Sequence, residues 1–329
     1  MTRRCVSQSR WTRTTPELRQ HTDPILYGQK MADPRVLDFD LPRLRMSALE
    51  WGPADGRLAL CVHGFPDSAH SWRYVAPALA AKGFRVIAPF TRGYAPTGPA
   101  PDGDYHLGAL MSDLIDLQLA LGSPDDAVLI GHDWGGWTTN ALAAYPDSPF
   151  AAHISMALPP IKAISESKFS PARTAKLAAV QLRMSWYIMF FQTPFAPERL
   201  LHRVIPRLWK DWSPPHADVD DDVAAALAAL PTPAHRQAAV AYYRDTVRFT
   251  PAAAQYRHLH RYWLDLPRKP MLVLHGDQDG AMQVGYLEQA LDFLPAGSTV
   301  QIIAGAGHFL QVDQPDAVTA AILDHLGQV

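Results

Sequence analysis

Cysteine is scarce: Cys5 and Cys61 are the two in 329 residues. That excludes a disulfide framework and fits a reducing compartment, so a cytoplasmic location is the expectation. Net charge is small as well. Thirty Lys and Arg stand against 32 Asp and Glu, a formal charge of −2, so no overall field draws the chain to nucleic acid or anionic lipid. No run of about 18 uncharged apolar residues occurs, which argues against insertion into a membrane. The 14 histidines form no HExxH or Cys-rich ligand pattern, so no metal and no cofactor is implied. No internal repeat is evident.

What is present is a soluble, globular composition, 48% hydrophobic and 19% charged, in a chain long enough for one large domain or a domain with an insertion. The first thirty residues differ. Five arginines fall within the first twenty, apolar periodicity is weak, and the apolar core of a secretory signal, about 7–15 residues, is absent. A disordered extension over residues 1–30 is the expectation, with a transit peptide as the alternative and Met31 as an alternative start.

Six short apolar runs end in Gly, Pro or a polar turn: LALCVHG (58–64), FRVIAPF (84–90), DAVLIGH (126–132), AHISMALP (152–159), PMLVLHG (270–276) and STVQIIAG (298–305). Their length and continuity suit buried parallel strands. Helical patterns lie between most of them, for example at 107–121 and 135–145. The fold class expected is therefore α/β, a mostly parallel sheet with helices on both faces and ligands at the strand C-terminal edge. From about 160 to 265 the alternation stops, and helical patterns, prolines and large aromatics take over. Ser170-Pro171 and Thr232-Pro233 read as N-caps followed by Pro at the first helical position. The organisation expected is a core over 31–159 and 266–329, interrupted by a helical cap over 160–265.

The segment GHDWG (131–135) lies between a strand pattern and a helix pattern. It has the form of the G-x-S-x-G nucleophile elbow, with Asp133 in place of serine. An ordinary turn aspartate is the plainer reading. Three further pieces change the weighing. HGFP (63–66) follows the run LALCV; a loop in that position supplies one oxyanion N–H in α/β hydrolases and the residue after the nucleophile supplies the other, here the backbone amides of Phe65 and Trp134. HGDQDG places Asp277 and Asp279 at the end of the next-to-last strand, where either could orient a histidine. GAGHF places His308 after the last strand. Nucleophile, acid and histidine thus occur in the chain order of that fold.

Over roughly residues 35 to 329 the motifs HGFPDSAHSWR, TRGYAPTG, GHDWGG, HGDQDG and GAGHF resemble those of the α/β-hydrolase-fold epoxide hydrolases. The resemblance implies Asp133 as nucleophile, His308 as base and Asp279, counted from Gly276, as its orienting acid. It implies two cap tyrosines that hold the epoxide oxygen. SWYIMFFQTP points to Tyr187 and AVAYYRD to Tyr243, with Tyr242 the competitor. Met184, Tyr187 and Phe191 at i, i+3, i+7 predict one helical face, as do Val240, Tyr243 and Val247. Trp134, Phe65, Met184 and Phe191 are the expected pocket lining. One departure from the family is PFTRG, where relatives often have an aspartate before Arg-Gly; an effect on loop packing is expected.

The expected reaction is conversion of an apolar epoxide to a vicinal diol through an alkyl ester on Asp133, hydrolysed by water that His308 and Asp279 activate. Serine at 133 would give an ether that water could not cleave. The partners expected are the epoxide and water, with no nucleic acid and with a homodimer left open. A haloalkane dehalogenase shares the aspartate, but Phe65 has no side-chain N–H for a halide. A catalytically silent binding protein on the same fold is the remaining alternative.

Overall fold

The structure is a computed structural model that describes residues 33–327. The extension expected over residues 1–30 lies outside the described residues. Eight strands form one sheet: β1 (Arg35–Asp40), β2 (Arg45–Trp51), β3 (Arg57–Val62), β4 (Phe84–Pro89), β5 (Val128–His132), β6 (Ala152–Met156), β7 (Met271–Gly276) and β8 (Thr299–Ile303). The order is β1-β2-β4-β3-β5-β6-β7-β8. β1 pairs antiparallel with β2 and β2 with β4; every later pairing is parallel.

The six apolar runs are β3 to β8. Along β3, Leu58, Leu60 and Val62 pack on one face and Ala59 and Cys61 on the other. The first set meets Met111, Leu114 and Leu117 of the helix Leu107–Ala120 and Leu142 of the helix Trp134–Ala144. The second meets Val75 and Leu79 of one short helix and Val318 and Ile322 of the C-terminal helix Pro315–Leu326. Burial on both faces is why the strand reads as continuous hydrophobe.

β1 and β2 were not among the runs. β1 is the sheet edge, alternates exposed with half-buried residues and carries Arg35, Asp38 and Asp40. An exposed edge strand has little apolar signature to read. β8, at the opposite edge, also alternates, burying Ile303 while Thr299 and Gln301 stay exposed.

Between β6 and β7 the chain is helical. Its longer helices are Pro171–Met184, Ala196–Trp212, Asp220–Ala228 and Pro233–Val247. Ser170 Oγ accepts from the Arg173 amide and Thr232 Oγ1 from the His235 amide, each at 3.4 Å, so both serve as N-caps. The helical face expected to join Met184 to Tyr187 and Phe191 is not continuous. The first helix stops at Met184, Ser185 intervenes, and a separate helix spans Trp186–Phe191. Tyr187 and Phe191 are buried together, while Met184 stays half-buried outside their cluster. On Pro233–Val247, Val240 and Tyr243 are buried but Val247 is 38% exposed, so that stripe ends one turn early.

Candidate active site

Four of the sequence motifs meet at the C-terminal ends of the parallel strands. Asp133 follows β5 and opens the helix Trp134–Ala144. Its backbone has φ 53° and ψ −113°, a turn sharp enough to lift the side chain off the sheet edge. The flanking glycines are dictated by contact. A Cβ on Gly131 would stand 2.0 Å from the Gly135 carbonyl oxygen, and one on Gly135 2.2 Å from that of Val62. No larger residue fits where strand and helix approach this closely.

The HGFP loop after β3 lies against the elbow. The Phe65 amide donates to Asp133 Oδ1 at 2.8 Å. The position a Gly64 Cβ would take is 2.3 Å from that oxygen and 2.6 Å from the Trp134 amide nitrogen, so both expected oxyanion donors border one point. His308 follows β8. Its Nδ1 is 3.0 Å from Asp279 Oδ2, and its Nε2 is 3.5 Å from Asp133 Oδ2 and has no hydrogen-bond partner among the described residues. Asp279 Oδ1 is held by the amides of Ala281 and Met282, at 2.7 and 2.9 Å. Asp277 is exposed and caps the Gly305 amide at 2.8 Å, away from the histidine.

The site is nearly closed to bulk solvent. His308 is 1% exposed, and the Asp133 side chain, at 16%, is the more open of the pair. Burial disfavours the imidazolium, but Asp279 and Asp133 outweigh it and hold His308 up at about 10. Burial would likewise raise Asp279; the imidazoles of His308 and His275 reverse that and bring it below the usual carboxylate range. An ionised Asp279 keeps the Nδ1 proton on His308 and leaves Nε2 facing Asp133.

Tyr187 and Tyr243 face each other with ring centroids 5.5 Å apart. Tyr243 packs edge-on against Phe65 at 5.3 Å, Trp134 at 5.1 Å and Phe191 at 5.1 Å, and Tyr187 against Trp212 at 5.0 Å. Burial, then the nearby Asp133 charge, pushes the Tyr187 phenol above its ordinary value; burial, Tyr187 and Asp133 do the same for Tyr243. Both are therefore neutral donors at any ordinary pH. The buried Tyr243 hydroxyl has no hydrogen-bond partner among the described residues. Tyr242, by contrast, spends its hydroxyl on the Arg92 carbonyl at 2.7 Å. Of the expected pocket residues, Trp134, Phe65 and Phe191 line this cluster and Met184 does not.

Several neighbours lie inside these motifs without a role in the sequence reading. His132 Nε2 is 2.9 Å from the His308 carbonyl, and its Nδ1 is 3.6 Å from Asp67 Oδ2. His275 Nε2 lies 3.4 Å from Asp279 Oδ2 and 3.0 Å from the Met282 carbonyl. Both are fully buried, and a polar residue inside an apolar strand run was the signal available. Thr91 uses its amide on His63 Nε2 at 3.1 Å and so packs the HGFP loop. Arg92 is fully buried and spent on Asp113, at 2.7 Å twice, so it is not free to hold a substrate carboxylate.

This sheet order and aspartate elbow define an α/β hydrolase with a carboxylate at the nucleophile position. The α/β hydrolase fold family model matches residues 60–315. Epoxide hydrolase A of Mycobacterium tuberculosis is 30% identical over 325 residues, covering 89% of this chain and 96% of that protein. A putative epoxide hydrolase from Klebsiella pneumoniae superposes with a TM-score of 0.74 at 24% identity, over 89% of this chain and 97% of that one. A haloalkane dehalogenase loop variant from Bradyrhizobium elkanii shares the fold too, with a TM-score of 0.69 at 21% identity, over 90% and 97%. The chain belongs to the α/β-hydrolase-fold epoxide hydrolase family.

Proposed function

We propose that the protein hydrolyses apolar epoxides to vicinal diols, with Asp133 as nucleophile, His308 as base, Asp279 as its orienting acid and Tyr187 and Tyr243 as proton donors. The observation that carries this reading is the pair of buried neutral phenols, one with an unpartnered hydroxyl, packed over a carboxylate that faces an amide donor. The helical segment between β6 and β7 acts as a cap in this reading, since it supplies both tyrosines.

The free enzyme holds an Asp133 carboxylate beside a protonated His308. Oδ1 is tied to the Phe65 amide, so Oδ2 attacks a ring carbon. The carbon–oxygen bond breaks, and the alkoxide takes a proton from a tyrosine. Ester formation removes the Asp133 charge that helped raise His308. The imidazolium then gives up its proton, which restores the phenol. Neutral His308 accepts a proton from water as the water oxygen attacks Cγ of Asp133. The oxyanion grows on Oδ1 beside the Phe65 and Trp134 amides. Collapse expels the diol alkoxide, which is protonated by the new carboxylic acid, and the starting ion pair is restored.

A dehalogenase reading is weaker on two counts. The Phe65 side chain has no N–H for a halide, and a phenol pair assists a developing alkoxide more than a departing halide. A single turnover in ¹⁸O water tests the covalent route. The diol should carry unlabelled oxygen and Asp133 should carry the label; label in the first-turnover diol would sink it. Halide release from haloalkanes, with no diol from styrene oxide, would favour the dehalogenase.

A further inference from the structure

The net charge of −2 conceals a strong asymmetry. Residues 167–210 hold eight Lys and Arg and one acid, Glu198. Glu198 is itself paired with Arg244, while Lys168, Lys176, Arg183, Arg199 and Arg203 make no ion pair among the described residues. The same stretch shows solvent an unusual set of large hydrophobes: Leu182 at 68%, Trp186 at 38%, Met189 at 59% and Phe195 at 72% exposed. Their sequence neighbours Leu177, Tyr187 and Phe191 point inward. The helices Pro171–Met184 and Trp186–Phe191 are therefore two-sided. The inward side of the second carries Tyr187 and Phe191 of the candidate site, that of the first buries Leu177 against Gly285, and the outer side of both is cationic and apolar at once.

Exposed Trp, Leu, Met and Phe among unpaired cations are the ingredients of an interfacial contact with acidic lipid: the cations meet headgroups and the apolar side chains enter the acyl boundary. A second copy of the chain fits less well, because a two-fold interface here would set two cationic surfaces against each other. Nucleic acid would satisfy the cations but leave Leu182 and Met189 without a partner.

We propose that this outer face docks the protein on an anionic lipid surface. Trp186 and Met189 would sit in the boundary layer, one residue from Tyr187 in the site wall. Docking needs no spanning helix and does not depend on the reaction assigned to Asp133, because it is read by binding alone.

The test is co-sedimentation of the full chain with phosphatidylcholine vesicles, with and without about a quarter phosphatidylserine, at low and high salt. Binding is expected on the anionic vesicles alone, weakening as salt rises. Leu182→Ser combined with Lys176→Glu and Arg183→Glu is expected to weaken it at least about tenfold, given roughly fivefold per cation at such a surface. Diol formation from a water-soluble epoxide should be unchanged in that variant, which also shows that it is folded. Equal binding to both vesicle types, no binding, or binding that survives the triple variant overturns the proposal. So does a dimer in sedimentation velocity that the triple variant dissociates, which would give the face to a second copy.

Discussion

Asp133 and Tyr243 border one enclosed space, yet they are held there by different means. Asp133 is placed by the backbone: a strand end, a turn of fixed dihedrals, two glycines that no other residue could replace, and an amide 2.8 Å from its carboxylate. Tyr243 is placed by packing: a helix from another part of the chain and the faces of Phe65, Trp134 and Phe191, with no hydrogen bond on its hydroxyl. The first arrangement fixes the chemistry of the proposed nucleophile. The second can change its lining without disturbing that chemistry, and is where substrate choice would be tuned.

The largest effect should come from the backbone-held half. Asp133→Ala, which removes the proposed nucleophile, should lower turnover by about 10⁴ or more. Diol formation by the purified variant checks it. Slightly less drastic is His308→Gln, which should leave ring opening intact and stop hydrolysis. Intact-protein mass spectrometry should then show the epoxide mass added to the chain, and a variant that accumulates no adduct would remove the base from His308.

How much of this was legible in the sequence follows the same division. GHDWG, HGFP, HGDQDG and GAGHF can be read because strand-end turns demand particular residues at fixed spacing. Asp279 and Asp277 were separable only by family resemblance; the structure places one against His308 and the other on a surface turn. The helical half was harder. A stripe of Met184, Tyr187 and Phe191 looks continuous in sequence, and the break at Ser185 has no Gly or Pro to announce it. β1 was missed because an edge strand carries weak apolar patterning, and β2, which lies inside the sheet, because the buried Ser47 and Glu50 interrupt its apolar run. Tyr242 and Tyr243 are adjacent, and the Arg92 carbonyl that occupies one of them is 150 residues away in sequence.

That adjacency supplies a finer test of the packing-held half. Tyr243→Phe should slow the burst of ester formation by about 10²-fold, the low end for loss of a general acid. Tyr242→Phe should leave the burst unchanged and cost about 1–3 kcal/mol of stability, because it strands a buried carbonyl. Burst kinetics and thermal melts on the pair separate the two. The reverse pattern would exchange their roles.

The smallest effect expected is the share that Asp133 supplies in a pH dependence of stability. Folding raises His308 from the ordinary value of 6.5 to about 10. A raised pKa stabilises the fold fully below 6.5, and that contribution is lost as pH climbs through 10. Melting temperature should therefore fall across that window. Asp133→Asn removes one of the charges that raise His308 and should shrink the fall by a few degrees, at roughly 2–4 °C per kcal/mol. An equal fall in both proteins would mean that Asp133 does not hold the proton.

The φ of 53° at Asp133 has a cost of its own. A side-chain-bearing residue in that region carries about 1–3 kcal/mol of conformational strain, a load that the surrounding strand and helix must sustain. The proposed nucleophile is thus also a weak point in the fold. Glycine would carry no such strain at this position, so a carboxylate held there in the proposed role exchanges toughness for reactivity.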